Sequence, residues 1–354
     1  MLKWLLFPIS ILFGLGIRLR HLLFDLGVLS EKSFDIPTIG IGNLCMGGAG
    51  KTPQTEYLVK LLLKESLHIA ILSRGYGRKT KGFFLAGDNT TSDEIGDEPM
   101  QYFKKYGKRI QIAVDESRVD GMKNLIKMDN SPDLVLLDDV MQHRYIKPGL
   151  MILLTDYREL YVDDHLFPVG HLRDIKSSAK RADIIIVTKT DKILSPIIRR
   201  TIYKKLNPES HQQVYFSYVK YGKLVSLHNF EKKEIENKYS AIFLLTGIAN
   251  PYPLKDYLRY HCRDLISMEY ADHHVFNKRD IQILVKTFKD HYSRKKIIIT
   301  TEKDAMRLLN SPYLRLLKGL PVYFLPIEVK FHGKDQTLFN QQILHYVREN
   351  KRNR

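Results

Sequence analysis

Short apolar runs alternate with amphipathic segments through the first two thirds of the chain. The runs are rich in Ile, Val and Leu without polar alternation, which is typical of strands covered on both faces of a parallel sheet. They occupy residues 37–43, 68–75, 110–114, 133–139, 150–156 and 183–191. Segments with helical periodicity lie between them at 54–65, 97–105 and 117–128. This alternation predicts an open α/β domain with a mainly parallel sheet, and with ligands at the carboxyl ends of its strands.

The pattern changes after residue 212. Residues 213–227 predict a hairpin, 229–238 form a charged linker or bend, and a second α/β unit begins at 240–251. A later extended segment, 320–331, could pair back towards the hairpin. We therefore predict three parts with a hinge near residue 228. They are an N-terminal helix over 1–28, a main α/β domain over 29–228 and a smaller α/β domain over 229–345.

The first residues predict a helix at a membrane surface. Residues 4–17 are apolar, and 14 helical residues span about 21 Å, short of the roughly 30 Å hydrocarbon core of a bilayer. A basic run follows at 18–21, no small-residue cleavage site is present, and apolar residues continue at helical spacing. Such a helix lies in the membrane interface with its basic residues on anionic lipid, so an anionic membrane surface is a predicted partner. A core helix packed on the protein is the alternative, and the exposure of the apolar residues decides between them.

An excess of basic residues is the main feature of the composition. The 354 residues include 56 Lys and Arg against 39 Asp and Glu, a net charge of +17. This charge favours nucleic acid, anionic lipid or a phosphorylated substrate as a partner. The basic residues are scattered and no nucleic-acid-binding module is recognisable, so we predict no nucleic acid, and no segment indicates a protein partner. Two cysteines, Cys45 and Cys262, cannot form a disulfide framework and favour a reducing, cytosolic location.

A glycine-rich stretch, GNLCMGGAGKTP, follows the first predicted strand. In a phosphate-binding loop, backbone N–H groups converge at a helix N-terminus and glycines permit the tight path. Lys51 would reach the β- and γ-phosphates of a nucleotide, and Thr52 would bind Mg²⁺. The usual pattern has a glycine where this chain has Cys45, and the paired glycines after it supply the turn. The candidate nucleotide-binding residues are Gly47, Gly48, Ala49, Gly50, Lys51 and Thr52.

Two carboxylates end the predicted strand DLVLLDD. Asp138 is placed to hold Mg²⁺ directly or through water, and Asp139 follows it into the site. An N-cap would produce the same letters, but a phosphate-binding loop elsewhere in the chain favours the magnesium interpretation.

Two similar motifs after strands have two interpretations. TKTD at 188–191 resembles the guanine-reading motif of GTPases, but Thr-x-x-Asp after a strand is also a capping box. TEKD at 301–304 has the same form. Helix capping is the preferred interpretation of both motifs.

Taken together, the ordered motifs resemble one family, the tetraacyldisaccharide 4'-kinases of lipid A biosynthesis. The segments are GNLCMGGAGKTP, LSRGYGRKTKG, GDEPMQ, LLDDVMQHR, PVGHLRD, GIANP, DHHVF and TEKDAMRL, in family order from about residue 37 to 308. The resemblance implies a P-loop domain and a smaller α/β domain joined by a two-stranded linker. It also implies transfer of the γ-phosphate of ATP, with Mg²⁺, to the 4'-hydroxyl of a tetraacyldisaccharide 1-phosphate lipid, forming lipid IVA. The implied location is the cytoplasmic face of the bacterial inner membrane, as a peripheral or monotopic protein.

The resemblance also assigns residues. Asp97 matches the proposed catalytic base and His273 the histidine that pairs with it, while Asp139 and Lys51 complete the catalytic set. The residues implied near the sugar or its 1-phosphate are Arg74, Tyr76, Arg118, Gln142, His143 and Asp174. One of these departs from the family, which usually has glutamate at the position of Asp174.

A ParA-like ATPase switch at the membrane surface is the alternative function, because GGAGKT resembles the loop of those proteins. They carry a lysine where this chain has Met46, and a switch requires neither the second domain nor the pair formed by Asp97 and His273. A GTP-dependent factor would depend on TKTD alone. We therefore expect an ATP-dependent lipid kinase.

Overall fold

The computed structural model describes residues 5–236, 238–272 and 274–350, and over these residues the chain folds into two compact units. One unit comprises the residues up to Val219 together with those from Val329 onward, and the other comprises Lys220–Glu328. The predicted boundary at 228 and the predicted end of the smaller domain at 345 differ from this division. The C-terminal helix belongs to the first unit, because its Phe339 and Ile343 are buried in the same core as Ile39 of the first strand.

The first unit is built on a sheet that has nine strands over the described residues. Its strands are β1 (Thr38–Asn43), β2 (Ile69–Ser73), β3 (Phe84–Leu85), β4 (Gln111–Val114), β5 (Leu134–Asp138), β6 (Leu150–Asp156), β7 (Ile184–Thr188), β8 (Gln213–Tyr221) and β15 (Ile327–Phe331). Their order across the sheet is β15-β8-β7-β6-β1-β5-β2-β4-β3. The pairings from β8 to β4 are parallel, and β3 is an antiparallel edge strand. The chain changes direction across the sheet at β1, so a crevice forms at the carboxyl end of that strand.

Helices cover both faces of this sheet, and its central strands are therefore buried throughout. The helices are α1 (Phe7–Asp25), α2 (Lys51–Leu62), α3 (Ser92–Ile95), α4 (Asp97–Tyr106), α5 (Arg118–Lys127), α6 (Pro196–Leu206) and α10 (Asp335–Glu349), with 3₁₀ turns at Leu63–Glu65, Gly107–Arg109 and Lys176–Arg181. Helix α10 is also hydrogen-bonded to β1 through the side chain of Tyr346. The Tyr346 hydroxyl donates to the carbonyl of Thr38 (3.0 Å) and accepts from its N–H (3.2 Å).

Helix α1 buries small and polar residues and exposes apolar ones, the reverse of a helix packed on a soluble core. Its buried positions include the small or polar Ser10, Gly14 and His21. Most of its apolar residues face outward, with Leu12 68% and Leu19 59% exposed, whereas Phe24 is buried. The alternative of a core helix therefore does not describe it, and the helix, Phe7–Asp25, lies within the predicted range 1–28. Its 19 residues span about 28 Å, and by length and composition alone it could also cross a bilayer.

The second unit contains a sheet of six strands within the described part of the chain, in the order β10-β9-β14-β13-β11-β12. Its strands are β9 (Leu224–Ser226), β10 (Lys232–Lys233), β11 (Tyr239–Thr246), β12 (Cys262–Glu269), β13 (Lys296–Thr301) and β14 (Val322–Leu325). The helices are α7 (Tyr252–Arg259), α8 (Lys278–Asp290) and α9 (Glu302–Leu309), with a 3₁₀ turn at Leu314–Leu317. Strands β11 to β14 pair in parallel, which confirms the predicted second α/β unit.

The predicted hairpin over 213–227 is wrong. Strand β8 lies in the sheet of the first unit and β9 in that of the second, so the two do not pair. The predicted extended segment 320–331 likewise divides at Pro326 into β14 and β15, which pair with β9 and β8 respectively. The pairing back towards 213–227 is therefore confirmed, although it is divided between two sheets.

Candidate active site

The glycine-rich loop lies between β1 and α2, as predicted. Gly50 has φ +86° and forms the N-cap of α2, and Gly47 has φ +102°, conformations that side chains with a Cβ rarely adopt. Lys51, the first helical residue, donates from Nζ to Oδ1 of Asn43 at 3.0 Å and lies 3.5 Å from Oδ1 of Asp139. The loop therefore presents a helix N-terminus and one ammonium group, the arrangement that binds phosphate.

Strand β5 brings its two carboxylates beside this loop because β5 pairs directly with β1, with Asp138 opposite Ile41. Asp138 is 1% exposed, and its Oδ1 has no hydrogen-bond partner among the described residues. Burial, together with Glu98 and Asp139, raises the pKa of Asp138 to about 7, against the opposing effect of Lys51. A buried carboxylate oxygen without a donor can be compensated by a bound cation. Asp138, with the hydroxyl of Thr52, therefore fits a Mg²⁺ ion that accompanies a bound nucleotide.

Asp139 has a different environment from its neighbour. Its φ is +50°, a conformation that is uncommon for a residue with a side chain and often marks a functional site. Although burial alone would raise the pKa of Asp139, Lys51 and Arg173 hold it below the ordinary value. Adjacent carboxylates are thus separated in acidity, with Asp139 kept ionised.

Arg173 is a site residue that the sequence did not predict individually. Its Nη1 donates to Oδ2 of Asp139 (3.0 Å), and its Nη2 donates to Oδ1 of Asp139 and to Oδ1 of Asn43 (2.7 Å). The segment 171–173 runs along the phosphate loop: the N–H of Met46 donates to the carbonyl of His171 (2.6 Å), and that of Arg173 to the carbonyl of Leu44 (2.8 Å). The motif PVGHLRD marks this segment in the sequence, but its letters do not place the arginine on Asp139.

Asp97 is brought to the same edge of the sheet. It is half-buried and begins α4, whose preceding Gly96 has φ +90° and abuts the RGYG turn. A Cβ on Gly96 would lie 2.7 Å from the carbonyl oxygen of Tyr76, so glycine is required for this approach. Helix α4 packs on α2 through the buried Glu56, which accepts from Gln101 (2.9 Å) and Lys105 (2.5 Å).

Arg118 does not occupy the position expected of a substrate contact. It is 2% exposed, and its Nη2 donates to the carbonyl oxygens of Asp138 (3.3 Å) and Asp139 (3.5 Å). Burial lowers the pKa of Arg118 to about 10, while Asp138 and Asp139 oppose that shift. The side chain fixes the backbone of the two carboxylate residues by hydrogen bonding, because the donors of a buried guanidinium need acceptors nearby.

Four other predicted substrate residues, Arg74, Tyr76, Gln142 and His143, include one fixed cation, Arg74. Arg74 and Tyr76 are exposed, and Gln142 donates to the carbonyl of Asn43 (2.8 Å). Burial and then Arg118, Arg20 and Arg74 lower the pKa of His143 to about 4, so the imidazole is neutral at physiological pH. An open groove of about 520 Å³ adjoins His143, and its charged lining consists of two lysines and two carboxylates, Lys32, Lys123, Glu116 and Asp120.

Asp174, which was predicted to contact the substrate, is buried like Arg118. It is 2% exposed and accepts from Arg181 (3.1 Å), from the N–H of Ile175 (2.8 Å) and from the imidazole of His21 (2.7 Å). Burial alone would raise the pKa of Asp174, but its hydrogen bond with His21 and the charges around it hold the pKa below the ordinary value. A carboxylate with this many internal donors is a structural anchor and does not present its oxygens to a substrate.

His273, the predicted partner of Asp97, lies outside the described residues. Its neighbours belong to the second unit: Asp272 lies 3.8 Å from Nζ of Lys303, and His274 lies 2.8 Å from Oδ2 of Asp280 and stacks on Tyr270. Its pairing with Asp97 therefore stays a prediction.

The capping interpretation is right for one of the two Thr-x-x-Asp motifs. Thr301 caps α9 by accepting from the N–H of Asp304 (3.1 Å). Thr188, in contrast, precedes no helix: its hydroxyl donates to the carbonyl of Ala49 in the phosphate loop (2.9 Å). Thr188 of the TKTD motif therefore supports the loop from the end of β7, two strands away from β1 in the sheet.

Fold and site together define a P-loop protein of the phosphoryl-transfer class. A sequence model of the family described as tetraacyldisaccharide-1-P 4'-kinase matches residues 2–348. The chain is 44% identical over 362 residues to the tetraacyldisaccharide 4'-kinase of Bacteroides thetaiotaomicron, covering 99% of this chain and 94% of that one. It is 41% identical over 352 residues to the enzyme of the same name from Flavobacterium johnsoniae, covering 99% and 98% of the two chains.

A solved structure agrees with these relatives. The crystal structure of LpxK from Aquifex aeolicus in complex with ATP matches with a TM-score of 0.73 and 25% identity, covering 98% of this chain and 100% of that one. The chain belongs to the tetraacyldisaccharide 4'-kinase family.

Proposed function

We propose that this chain transfers the γ-phosphoryl group of ATP to the 4'-hydroxyl of a tetraacyldisaccharide 1-phosphate, forming lipid IVA. The observation that carries the proposal is the pair of carboxylates beside the phosphate loop. One, Asp138, has a buried oxygen with no protein donor among the described residues, and the other, Asp139, is bound by Arg173 and Lys51. A bound Mg²⁺ would neutralise negative charge on the γ-phosphoryl group during its transfer.

Separate residues of the chain bind the phosphates and accept the proton. The backbone of residues 47–50 and the ammonium of Lys51 bind and orient the phosphates, with Lys51 held in place by Asn43. The 4'-hydroxyl attacks the γ-phosphorus, its proton passes to the carboxylate of Asp97, and the bond to ADP breaks. A sugar hydroxyl has a pKa far above 7 and needs an acceptor as it attacks, which a carboxylate at the start of α4 supplies.

Helix α1 supports a location at the cytoplasmic face of the inner membrane. Its outward face is apolar, whereas its inward face carries the polar and small residues that attach it to the protein. Lipid can cover that face without loss of a protein contact, and Arg18 and Arg20 lie where anionic headgroups would meet the helix. The substrate lipid then reaches the site along the helix that adjoins Gln142 and His143, since Arg20 donates to the carbonyl of Gln142 (3.0 Å).

The test is an assay with ATP, Mg²⁺ and tetraacyldisaccharide 1-phosphate in detergent micelles, scored for phosphorylated lipid. The expected result is a lipid product that carries one added phosphate and forms in equal amount to ADP. ATP hydrolysis that is independent of lipid and leaves the lipid unmodified would contradict the proposal. That outcome would favour the ATPase switch.

A further inference from the structure

His21, on the protein-facing side of α1, joins that helix to two segments that each carry a residue of the candidate site, His143 on one and Arg173 on the other. It is 7% exposed. Its Nε2 lies 2.7 Å from Oδ1 of Asp174 and 3.2 Å from Oγ of Ser178, and its Nδ1 lies 3.0 Å from Nη1 of Arg144. One imidazole therefore occupies a polar junction between the helix and the body of the first unit.

The partners of His21 define the role of each ring nitrogen. A guanidinium can only donate hydrogen bonds, so Nδ1 accepts from Arg144. Nε2 faces the carboxylate of Asp174, which can only accept, and donates to it. Both nitrogens are therefore hydrogen-bonded, a geometry that fixes the ring and both neighbouring side chains.

Each partner is adjacent in sequence to a residue of the site. Arg144 follows His143, and it is further bound by Asp25 (2.8 Å) and Glu31 (2.6 Å). Asp174 follows Arg173, whose guanidinium holds Asp139. Displacement of either partner would therefore move the segment that carries a site residue.

We propose that His21 is a positioning residue, which couples the seating of helix α1 to the placement of Arg173 on Asp139 and of the 142–143 turn. The inference rests on the proposed kinase function and extends it: the helix that faces lipid also completes the catalytic geometry. His21 contacts three hydrogen-bonding side chains, those of Asp174, Ser178 and Arg144, and Asp174 in turn accepts from Arg181.

A matched pair of substitutions tests the proposal. H21Q and H21M have unbranched side chains of equal length, but only glutamine can donate to Asp174 and accept from Arg144. Ser10→Ala serves as the control, because Ser10 attaches the same helix elsewhere by donating to the carbonyl of Leu166 (2.9 Å). Initial rates are measured against lipid and against ATP in the micelle assay, and each enzyme concentration is normalised to sites that bind a fluorescent ATP analogue.

The expected result is a fall in kcat of about 10-fold or more for H21M at saturating lipid, as is typical when the group that orients an active-site residue is lost. H21Q and S10A should retain kcat within about threefold, and the affinity for ATP should be unchanged in all three. An H21M enzyme with the kcat of the wild type, or with only a raised KM for lipid, would overturn the proposal. Counting ATP-binding sites keeps a partly unfolded sample from imitating the effect.

The outcome is separable from failure of the kinase function itself. If the wild-type chain phosphorylates no lipid, the proposed function fails before any variant is compared. If the wild type is active and H21M matches it, only the role of His21 fails.

Discussion

Arg173 donates hydrogen bonds from both terminal nitrogens to the carboxylate of Asp139, with Nη1 3.0 Å from Oδ2 and Nη2 bonded to Oδ1. The pair fixes a carboxylate whose backbone already has an unusual positive φ. It also helps to keep Asp139 ionised, whereas its neighbour Asp138 lies in surroundings that raise the pKa. The separation allows one carboxylate to accept a metal ion while the other stays bound to the protein.

Arg173→Lys should lower kcat by about 10- to 100-fold, because an ammonium cannot reproduce the two parallel hydrogen bonds to Asp139. The measurement is lipid phosphorylation at saturating ATP and lipid. Arg199→Lys is the matched control, since Arg199 also pairs with an aspartate, Asp335 (2.6 Å), but on a different part of the first unit. Equal kcat for Arg173→Lys and wild type would show that the bidentate contact has no part in turnover.

Asp97→Asn should reduce kcat by roughly 10²- to 10⁴-fold, the range typical of a lost general base, with little change in ATP affinity. Single-turnover phosphorylation and equilibrium ATP binding measure the two quantities separately. Asp93→Asn is the control, because Asp93 is an exposed carboxylate that pairs with Lys79 (2.6 Å) a few residues earlier. Unchanged turnover in the Asp97 variant would remove it as the base.

Replacement of Leu12 and Leu19 together by glutamine should weaken binding to anionic vesicles at least about tenfold, since each buried leucine contributes roughly 1.5–3 kcal/mol. Both side chains point outward from α1. Vesicle sedimentation measures the effect, with Ile193→Gln as the control, because Ile193 is an apolar residue 90% exposed outside that helix. Vesicle binding that survives the double substitution would show that α1 is not the membrane contact.

His143 should make the protein less stable in acid. Burial and the nearby arginines lower its pKa to about 4, whereas an unfolded histidine titrates near 6.5. Between these values the unfolded chain binds more protons, so the contribution of His143 to stability is complete above about pH 6.5 and is lost as the pH falls towards 4.

Urea denaturation at about pH 7 and about pH 5 tests this linkage. The wild type should lose more stability between the two conditions than His143→Gln, which has no titrating group at that position. An identical loss in both proteins would contradict the lowered pKa. The NMR signals of the His143 ring offer a direct check, since they should remain those of neutral imidazole down to about pH 5.

The elements that could be predicted from the sequence are those whose pattern depends on local burial. Strand β6, over Leu150–Asp156, has the predicted bounds, and β1 and β5 begin or end within one residue of theirs. Long-range pairing could not be predicted in this way. Strands β8 and β9 resemble a hairpin because they are extended and close in sequence, yet they pair with different strands in two separate sheets.

The site shows the same limit. The phosphate loop and Asp138 depend on a local motif and on one strand pairing, and the structure places them together. The positions of Arg118 and Asp174 depend on which charged side chains are buried, and periodicity does not report this for a residue at the start of a helix or in a loop. Arg173 was likewise invisible, because its contact with Asp139 spans 34 residues of sequence.

The discontinuity of the first unit has a consequence for its synthesis. Residues 220–328 form a complete unit inserted into the sequence of another, so they leave the ribosome before the chain that must finish the first sheet. Strand β15 and helix α10 are translated after the second unit, and with them Tyr346, which bonds both backbone groups of Thr38 at the start of β1. At about 5–20 residues per second, the roughly 290 residues between β1 and α10 take about 15–60 seconds to add. The second unit is free to fold in that interval, so the sheet that carries the nucleotide site is completed only after the second unit has been made.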